Sequence, residues 1–371
     1  MTDALLSLVK QQGGIVVADG GFATHLEDAL GVTSLGDSPV WSASLLADSP
    51  KLIYQTHLDF LEAGAQIIGT ATYQACHAGF QACGIEKTKA TELMRSAIDL
   101  ADQARSIHLA SKADESHSEA VRPLIALSLG PYGAYLRGGA EYSGDYGDVR
   151  VDDLFLFHLE RLRIFCQDPQ TWAKIDVIAF ETVPRIDEAT AMLRALDAIL
   201  EEGIPIKPAY ISFVFPSGSG LPFAEAGTSI ENGDGMSALI SLLRPRQGWS
   251  LKGIGINCTK AKYIPALTKD LTLRLSELSK HHGSIEAVLF IEPDGGLVYD
   301  GATRTWSLAD SDDSTTPASW EQNVLRGIPG YPARSETESP WAGVVVGGCC
   351  KATTDHIKRL IVAKAGLHPS S

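Results

Sequence analysis

The chain has 371 residues, of which 44% are hydrophobic and 20% charged, an ordinary globular composition that excludes a disordered or low-complexity chain. At ~150 residues per domain the length fits two or three domains, or one large α/β barrel, which routinely exceeds ~250 residues. The formal net charge is −14 and no Lys/Arg-rich run occurs, which disfavours nucleic acid or an anionic membrane as partner and favours a small molecule. Nothing approaches ~18 consecutive apolar residues, and the N-terminal MTDALLSLVKQQGG reads as neither signal peptide nor membrane anchor. We therefore expect a cytoplasmic protein. In that reducing compartment Cys76, Cys83, Cys166, Cys258, Cys349 and Cys350 stay thiols unless they hold metal or do redox chemistry.

Eight short apolar runs punctuate the chain: GIVVADGG to Gly21, AQIIGTATY to Tyr73, PLIALSLGP to Pro131, IDVIAFETVP to Pro184, PAYISFVFP to Pro216, LKGIGINC to Cys258, EAVLFIEPDGG to Gly296 and WAGVVVGGCC to Cys350. Their continuous hydrophobicity marks strands buried on both faces of a parallel sheet. Helical periodicity fills Pro50 to Ala63, Gln74 to Ser111 as one long helix, Asp152 to Cys166, Arg185 to Glu201, Met236 to Leu243, Ala261 to His281 and Thr354 to Lys364. Eight strands alternating with helices fit a closed (β/α)₈ barrel, read as one domain over 1–371, better than a doubly wound sheet. Three segments break the rhythm. Ser111 to Val121 is an acidic loop, Ser217 to Gly235 a plain loop or a mobile lid, and Trp306 to Pro340 a polar, partly disordered insertion before the last strand, with a short helix from Ser319 to Arg326.

Barrel enzymes place their chemistry at the C-terminal ends of the strands. That rule puts Asp19, Thr70, Thr72, Glu181, Thr182, Asn257, Cys258, Glu292, Asp294, Cys349 and Cys350 on one rim. Strands six and eight are two apart, so Cys258 and the Cys349-Cys350 pair converge across the mouth. Soft thiolates select zinc, and three protein ligands leave the fourth position open, as catalytic sites do. Gly-Gly-Cys-Cys alone fits buried small residues or a vicinal disulfide equally well; its position opposite Cys258 favours metal. Cys76, Cys83 and Cys166 have no partner spacing and read as packing residues. Asp19 and Glu181 either cap and pair locally or bind a substrate ammonium, with free amides around Gly20, Gly21 and Phe22 for a carboxylate. An amino acid carries both groups. GIGIN lacks a dinucleotide fingerprint and no phosphate-binding GxxxxGK[ST] occurs. His25 reads as a solvated helix residue, and His281-His282 as complement to a helix C-terminus.

With these residues in place, ADGGFATHLE (Ala18 to Glu27), GTATYQA (Gly69 to Ala75), SLGPYGAYL with EYSGDYG (Ser128 to Gly147), FETVP (Phe180 to Pro184), GINC (Gly255 to Cys258) and VVGGCC (Val345 to Cys350) resemble the zinc-dependent homocysteine S-methyltransferases, in family order over almost the whole chain. The resemblance implies a (β/α)₈ barrel with Zn2+ on Cys258, Cys349 and Cys350. It also implies homocysteine held through its amino group by Asp19 and Glu181, with Gly20, Gly21 and Thr70 completing the substrate site. Two departures stand out: Thr70-Ala71-Thr72 replaces the frequent Thr-Asn-Thr or Thr-Asn-Ser, and Arg137 replaces the usual acidic residue after GAYL. Cobalamin- and betaine-using branches carry additional domains or a C-terminal extension, so a sulfonium donor is expected, S-methylmethionine ahead of S-adenosylmethionine. The aromatic rim Phe22, Tyr73, Tyr132 and Tyr135 suits a cation. The expected reaction is attack of zinc-bound homocysteine thiolate on the sulfonium methyl, giving methionine. The competing readings are a metal-dependent barrel hydrolase or aldolase, disfavoured by missing His/carboxylate ligand motifs, and a non-catalytic zinc or homocysteine sensor. The sequence leaves the oligomeric state open.

Overall fold

In the computed structural model, which describes residues 3–33, 35–115, 121–220, 235–300, 305–308, 317–331 and 339–367, all eight expected runs form parallel strands of one sheet. They are β1 (Ile15–Val17), β2 (Ile67–Gly69), β3 (Leu124–Leu129), β4 (Val177–Val183), β5 (Ala209–Phe213), β6 (Gly253–Asn257), β7 (Val288–Glu292) and β10 (Gly343–Val346). A two-stranded antiparallel ribbon, β8 (Leu297–Asp300) with β9 (Thr305–Leu308), intervenes between β7 and β10. The sheet runs β1-β10-β7-β6-β5-β4-β3-β2, and a parallel bridge from Ala18 to Ile67 joins its two ends. The barrel is closed.

Alternation along each strand sorts the core into two layers. Ile15, Val17, Leu127, Ile178, Ile211, Ile254, Leu289 and Val346 face the surrounding helices, while Val16, Ala18, Ala126, Ala179, Tyr210, Phe290 and Val345 fill the barrel interior. Leu5, Leu6, Leu8 and Val9, on an N-terminal helix (Ala4–Gln11), join that inner cluster. They plug the end of the barrel opposite the site. The glycines of GIGIN are explained by Phe290, which stacks on Tyr210 with ring centroids 3.7 Å apart. A Cβ on Gly253 would lie 2.5 Å from the Phe290 ring, and one on Gly255 2.6 Å from the Phe290 Cβ. These glycines make room for an aromatic pair.

The helices depart from expectation in identifiable places. The single helix expected from Gln74 to Ser111 is two, His77–Ala82 and Lys87–Glu115, because Gly84 adopts φ +78° and turns the chain between them. Phe22–Asp28 is helical although Asp-Gly-Gly before it reads as a plain turn. The 306–340 region contributes most of β9 and, where a short helix from Ser319 to Arg326 was expected, a helix Pro317–Arg326, whose Trp320 is buried and donates its indole N–H to the Asp294 carbonyl at 2.7 Å. Residues 309–316 and 332–338 of that insertion, most of the 217–235 loop and 116–120 lie outside the described residues. No helix among the described residues is long and apolar enough to cross a membrane.

Candidate active site

Most of the rim residues expected to carry chemistry meet at the mouth formed by the C-terminal strand ends, whereas Thr72 and Asp294 do not line the pocket there. Asp19, Gly20, Gly21, Thr70, Glu181, Glu292, Cys258, Cys349 and Cys350 line one pocket. The backbone there is unusual, since Thr182 (φ +61°), Cys258 (φ +46°) and Lys351 (φ +63°) are non-glycine residues in the left-handed region, each costing of order 1–3 kcal/mol. Tertiary bonds hold them. The Thr182 amide donates to Asn257 Oδ1 and Asn257 Nδ2 donates to Thr182 Oγ1, both at 2.8 Å. The Cys258 amide donates to the Glu292 carbonyl at 3.1 Å. The Lys351 amide donates to Thr24 Oγ1 at 2.8 Å. The three cysteine-bearing and acid-bearing loops are thereby turned inward.

The Sγ atoms of Cys258, Cys349 and Cys350 all lie within 4.8 Å of one another. Cys258 and Cys349 are joined as a disulfide, and the Cys350 thiol stands 3.9 Å from Cys258 Sγ. The expectation of thiols unless the cysteines hold metal or do redox chemistry, with a vicinal disulfide as the alternative, is corrected at this pair, which joins two loops: sulfurs brought close enough to share a metal are also close enough to pair when oxidised. In their reduced state these residues fit zinc, being three soft donors converging on one point from two loops with a ligand position left open. Burial pushes the Cys350 thiol up to about 12, so without a cation it stays protonated.

Three carboxyl groups share the pocket floor. Burial pushes Asp19 up to about 8, against the opposing 2.8 Å hydrogen bond from the Gly69 amide. Burial likewise raises Glu181 to about 7, where Ser128 Oγ donates to it at 3.1 Å. Glu292 is held well above the carboxylate range by burial and by the neighbouring charges of Glu181 and Asp19. A cation arriving here meets acids that ionise in response to it.

Other contacts are more restricted than the sequence suggested. The Gly21 amide is not free, because it donates to the Ala352 carbonyl at 2.9 Å; the Gly20 and Phe22 amides have no backbone partner among the described residues. Both glycines are required by close approach: a Cβ on Gly20 would fall 2.4 Å from the Ala352 oxygen and one on Gly21 2.7 Å from the Cys349 oxygen. Thr70 Oγ1 accepts from the Ser128 amide and pairs with Thr72 Oγ1 at 2.7 Å, while Thr72 donates to the Ser128 carbonyl. Thr70 therefore keeps one lone pair for a ligand. Of the expected aromatic rim, Phe22 and Tyr73 line the pocket, with Trp41 and Tyr142 in place of Tyr132 and Tyr135. The latter two pack on each other and on Phe157. His25 is buried, not solvated, and bonds Asp59 at 2.7 Å.

Two supports escaped the sequence reading. Buried Arg161 donates to the carbonyls of Thr72, Tyr73, Ala75 and Gly130, tying the loops after β2 and β3 together. Buried Glu188 accepts from the Tyr132 amide, the Tyr146 hydroxyl and His158 Nε2, fixing the GPYGAYL loop to the helix after β4. Both sit on helix faces that read as amphipathic surface, and only the fold supplies their partners.

The profile of the family described as homocysteine S-methyltransferase matches residues 16–363. Homocysteine S-methyltransferase 3 of Arabidopsis thaliana is 34% identical, over 97% of this chain and 91% of its own length. Selenocysteine Se-methyltransferase of Brassica oleracea var. italica is 31% identical, over 99% and 95%. Among solved structures, the oxidised form of the homocysteine methyltransferase MmuM from Escherichia coli superposes with a TM-score of 0.68 at 27% identity, covering 96% of this chain and 99% of that one. Its metallated form gives 0.65 at 27% identity, covering 96% and 98%.

Proposed function

Because this chain belongs to the homocysteine S-methyltransferase family, we propose that its 1–371 barrel moves a methyl group from a sulfonium, S-methylmethionine in preference to S-adenosylmethionine, to the sulfur of homocysteine. The observation that carries the reading is the meeting, in one pocket, of three sulfurs within 4.8 Å of one another with Asp19 and Glu181. Sulfur ligands suit an acceptor thiol, and paired acids suit the ammonium of the amino acid bearing it. Hydrolase or aldolase chemistry is less well served, as no His among the described residues lines the pocket.

Cys258, Cys349 and Cys350 would hold zinc, which when bound lets an incoming thiol ionise at neutral pH without a neighbouring base. Asp19 and Glu181 bind the homocysteine ammonium, giving up their protons as it enters. The Gly20 and Phe22 amides receive its carboxylate, and the spare lone pair of Thr70 faces the ammonium. These contacts fix the sulfur toward the outer side of the pocket. Trp41, Tyr73 and Tyr142 wall the approach, presenting aromatic faces to a cation and excluding water. In the transfer, the homocysteine S–CH₃ bond forms as the donor S–CH₃ bond breaks, and that electron pair stays on the donor sulfur as a neutral thioether. The homocysteine thiol proton leaves to solvent. With S-methylmethionine both products are methionine. A reducing compartment such as the cytosol keeps the cysteines competent.

A comparison of kcat/KM for the two donors on reduced, zinc-loaded protein tests the donor assignment. A higher value for S-methylmethionine supports it, and a higher value for S-adenosylmethionine overturns it.

A further inference from the structure

Beyond the inner pocket the barrel mouth opens into a second chamber that includes Gly36, Gln74, Arg137 and Gly139. Trp41, Tyr73, Glu141, Tyr142 and Cys350 line both cavities, so the two join on the outer side of the sulfur cluster. A ligand in the outer chamber faces the homocysteine sulfur across that junction.

Two opposite charges in this chamber have no protein counter-ion among the described residues. Glu141 opens a one-turn helix (Ala140–Ser143), and its Oε2 is buried with no hydrogen-bond partner. Arg137 stands where GAYL ends, at φ +68°, and its guanidinium donates to the Gly36 carbonyl at 3.0 Å and pairs with no carboxylate among the described residues. A buried carboxylate oxygen without a partner is costly to keep, and a half-buried guanidinium has donors to spare after one carbonyl contact. The pair complements a molecule with a cationic centre near the junction and an anion several ångströms farther out.

We propose that the outer chamber is a methyl-donor subsite built for a sulfonium that carries a carboxylate, with Glu141 facing its positive charge at the junction and Arg137 holding its carboxylate. This rests on the sulfonium reading above. Fixing the carboxylate end orients the sulfonium methyl toward the acceptor sulfur, so that remote binding serves the transfer. The subsite distinguishes donors by the charge of that end: the carboxamide of S-methylmethionine has the same shape and the same sulfonium, but offers Arg137 no anion.

The test uses reduced, zinc-loaded full-length protein with S-methylmethionine and its carboxamide, measured both by methyl transfer to homocysteine and by equilibrium dialysis of the labelled donors. Wild type is expected to favour the acid over the amide by about 10- to 100-fold, the range of one charge-assisted contact. Arg137→Met should lose that preference through the acid alone, with amide turnover and the KM for homocysteine within about twofold of wild type, and Arg137→Lys should restore part of it. Glu141→Gln should weaken binding of both donors by about tenfold or more. Retained amide turnover shows that the variant is folded. Methyl transfer with equal use of acid and amide, or an unchanged preference in Arg137→Met, overturns the subsite and leaves the methyltransferase reading standing. Selective binding of the acid without methyl transfer overturns that reading and leaves the subsite standing. Neither binding nor transfer overturns both.

Discussion

Asn257 and Thr182 hold each other by two 2.8 Å hydrogen bonds across the barrel mouth, each giving one donor and one acceptor. Thr182 directly follows Glu181 and Asn257 directly precedes Cys258, so this pair fixes the distance between the acid proposed to bind the ammonium and a sulfur proposed to bind metal. Asn257→Ala would leave the Thr182 amide unsatisfied in a buried site, at a cost of about 1–3 kcal/mol. Zinc affinity should fall by about tenfold or more, as happens when a ligand's support is lost. Thermal unfolding and a zinc competition titration measure the two effects, and a variant matching wild type in both would show that the pair is not a support.

Zinc should bind reduced protein at about one per chain. Cys258→Ser, Cys349→Ser and Cys350→Ser should each lose most metal and activity, because a site with three protein ligands has none to spare. Cys76→Ser should keep both, since its sulfur lies outside the pocket and accepts from the Gly79 amide at the start of a helix. Metal content unchanged in all three rim variants would sink the site.

The disulfide between Cys258 and Cys349 removes two of the three thiolates at once. Protein oxidised until those two sulfurs are paired should bind essentially no zinc, and a thiol reductant should restore stoichiometric binding. Thiol counts before and after reduction, set beside metal content, check this. Full zinc binding with the disulfide intact would contradict it.

The pocket acids give a pH signature. With Asp19 raised to about 8 and Glu181 to about 7, Asp19 is mostly and Glu181 about half protonated in the empty pocket near neutrality, and an arriving ammonium expels those protons. L-2-aminobutyrate, which has the ammonium and carboxylate of the substrate but no thiol, should release protons on binding at pH 7 and few at pH 9. Calorimetry in buffers of different ionisation enthalpy reads this, and Asp19→Asn should reduce the release. The stability effect has a definite sign. The unfolded chain loses these protons near pH 4 while the fold keeps them, so stability falls as pH rises from about 4 to about 8 and then levels. Asp19→Asn should flatten that decline.

The strands and the sulfur cluster were legible because each depends on a local pattern: continuous apolar runs end in reactive residues, and strand order then sets their convergence. Arg161 and Glu188 were not legible, because an Arg or Glu within an amphipathic helix looks solvated until four carbonyls or three donors are found facing it. Trp41 comes from a short 3-10 turn, Trp41–Ser44, remote from any strand end, so the rim rule could not place it in the pocket. The break at Gly84 was visible as a glycine, but helical periodicity on both sides concealed it.

The central claim is methyl transfer to homocysteine sulfur, and one measurement addresses it most directly: reduced, zinc-loaded protein incubated with homocysteine and S-methylmethionine labelled in its sulfonium methyl groups. The account predicts that label appears in methionine formed from homocysteine, at one label transferred per homocysteine consumed, and that Cys350→Ser abolishes it. Homocysteine left unmethylated by fully metallated wild type, with every sulfonium donor tried, would contradict it.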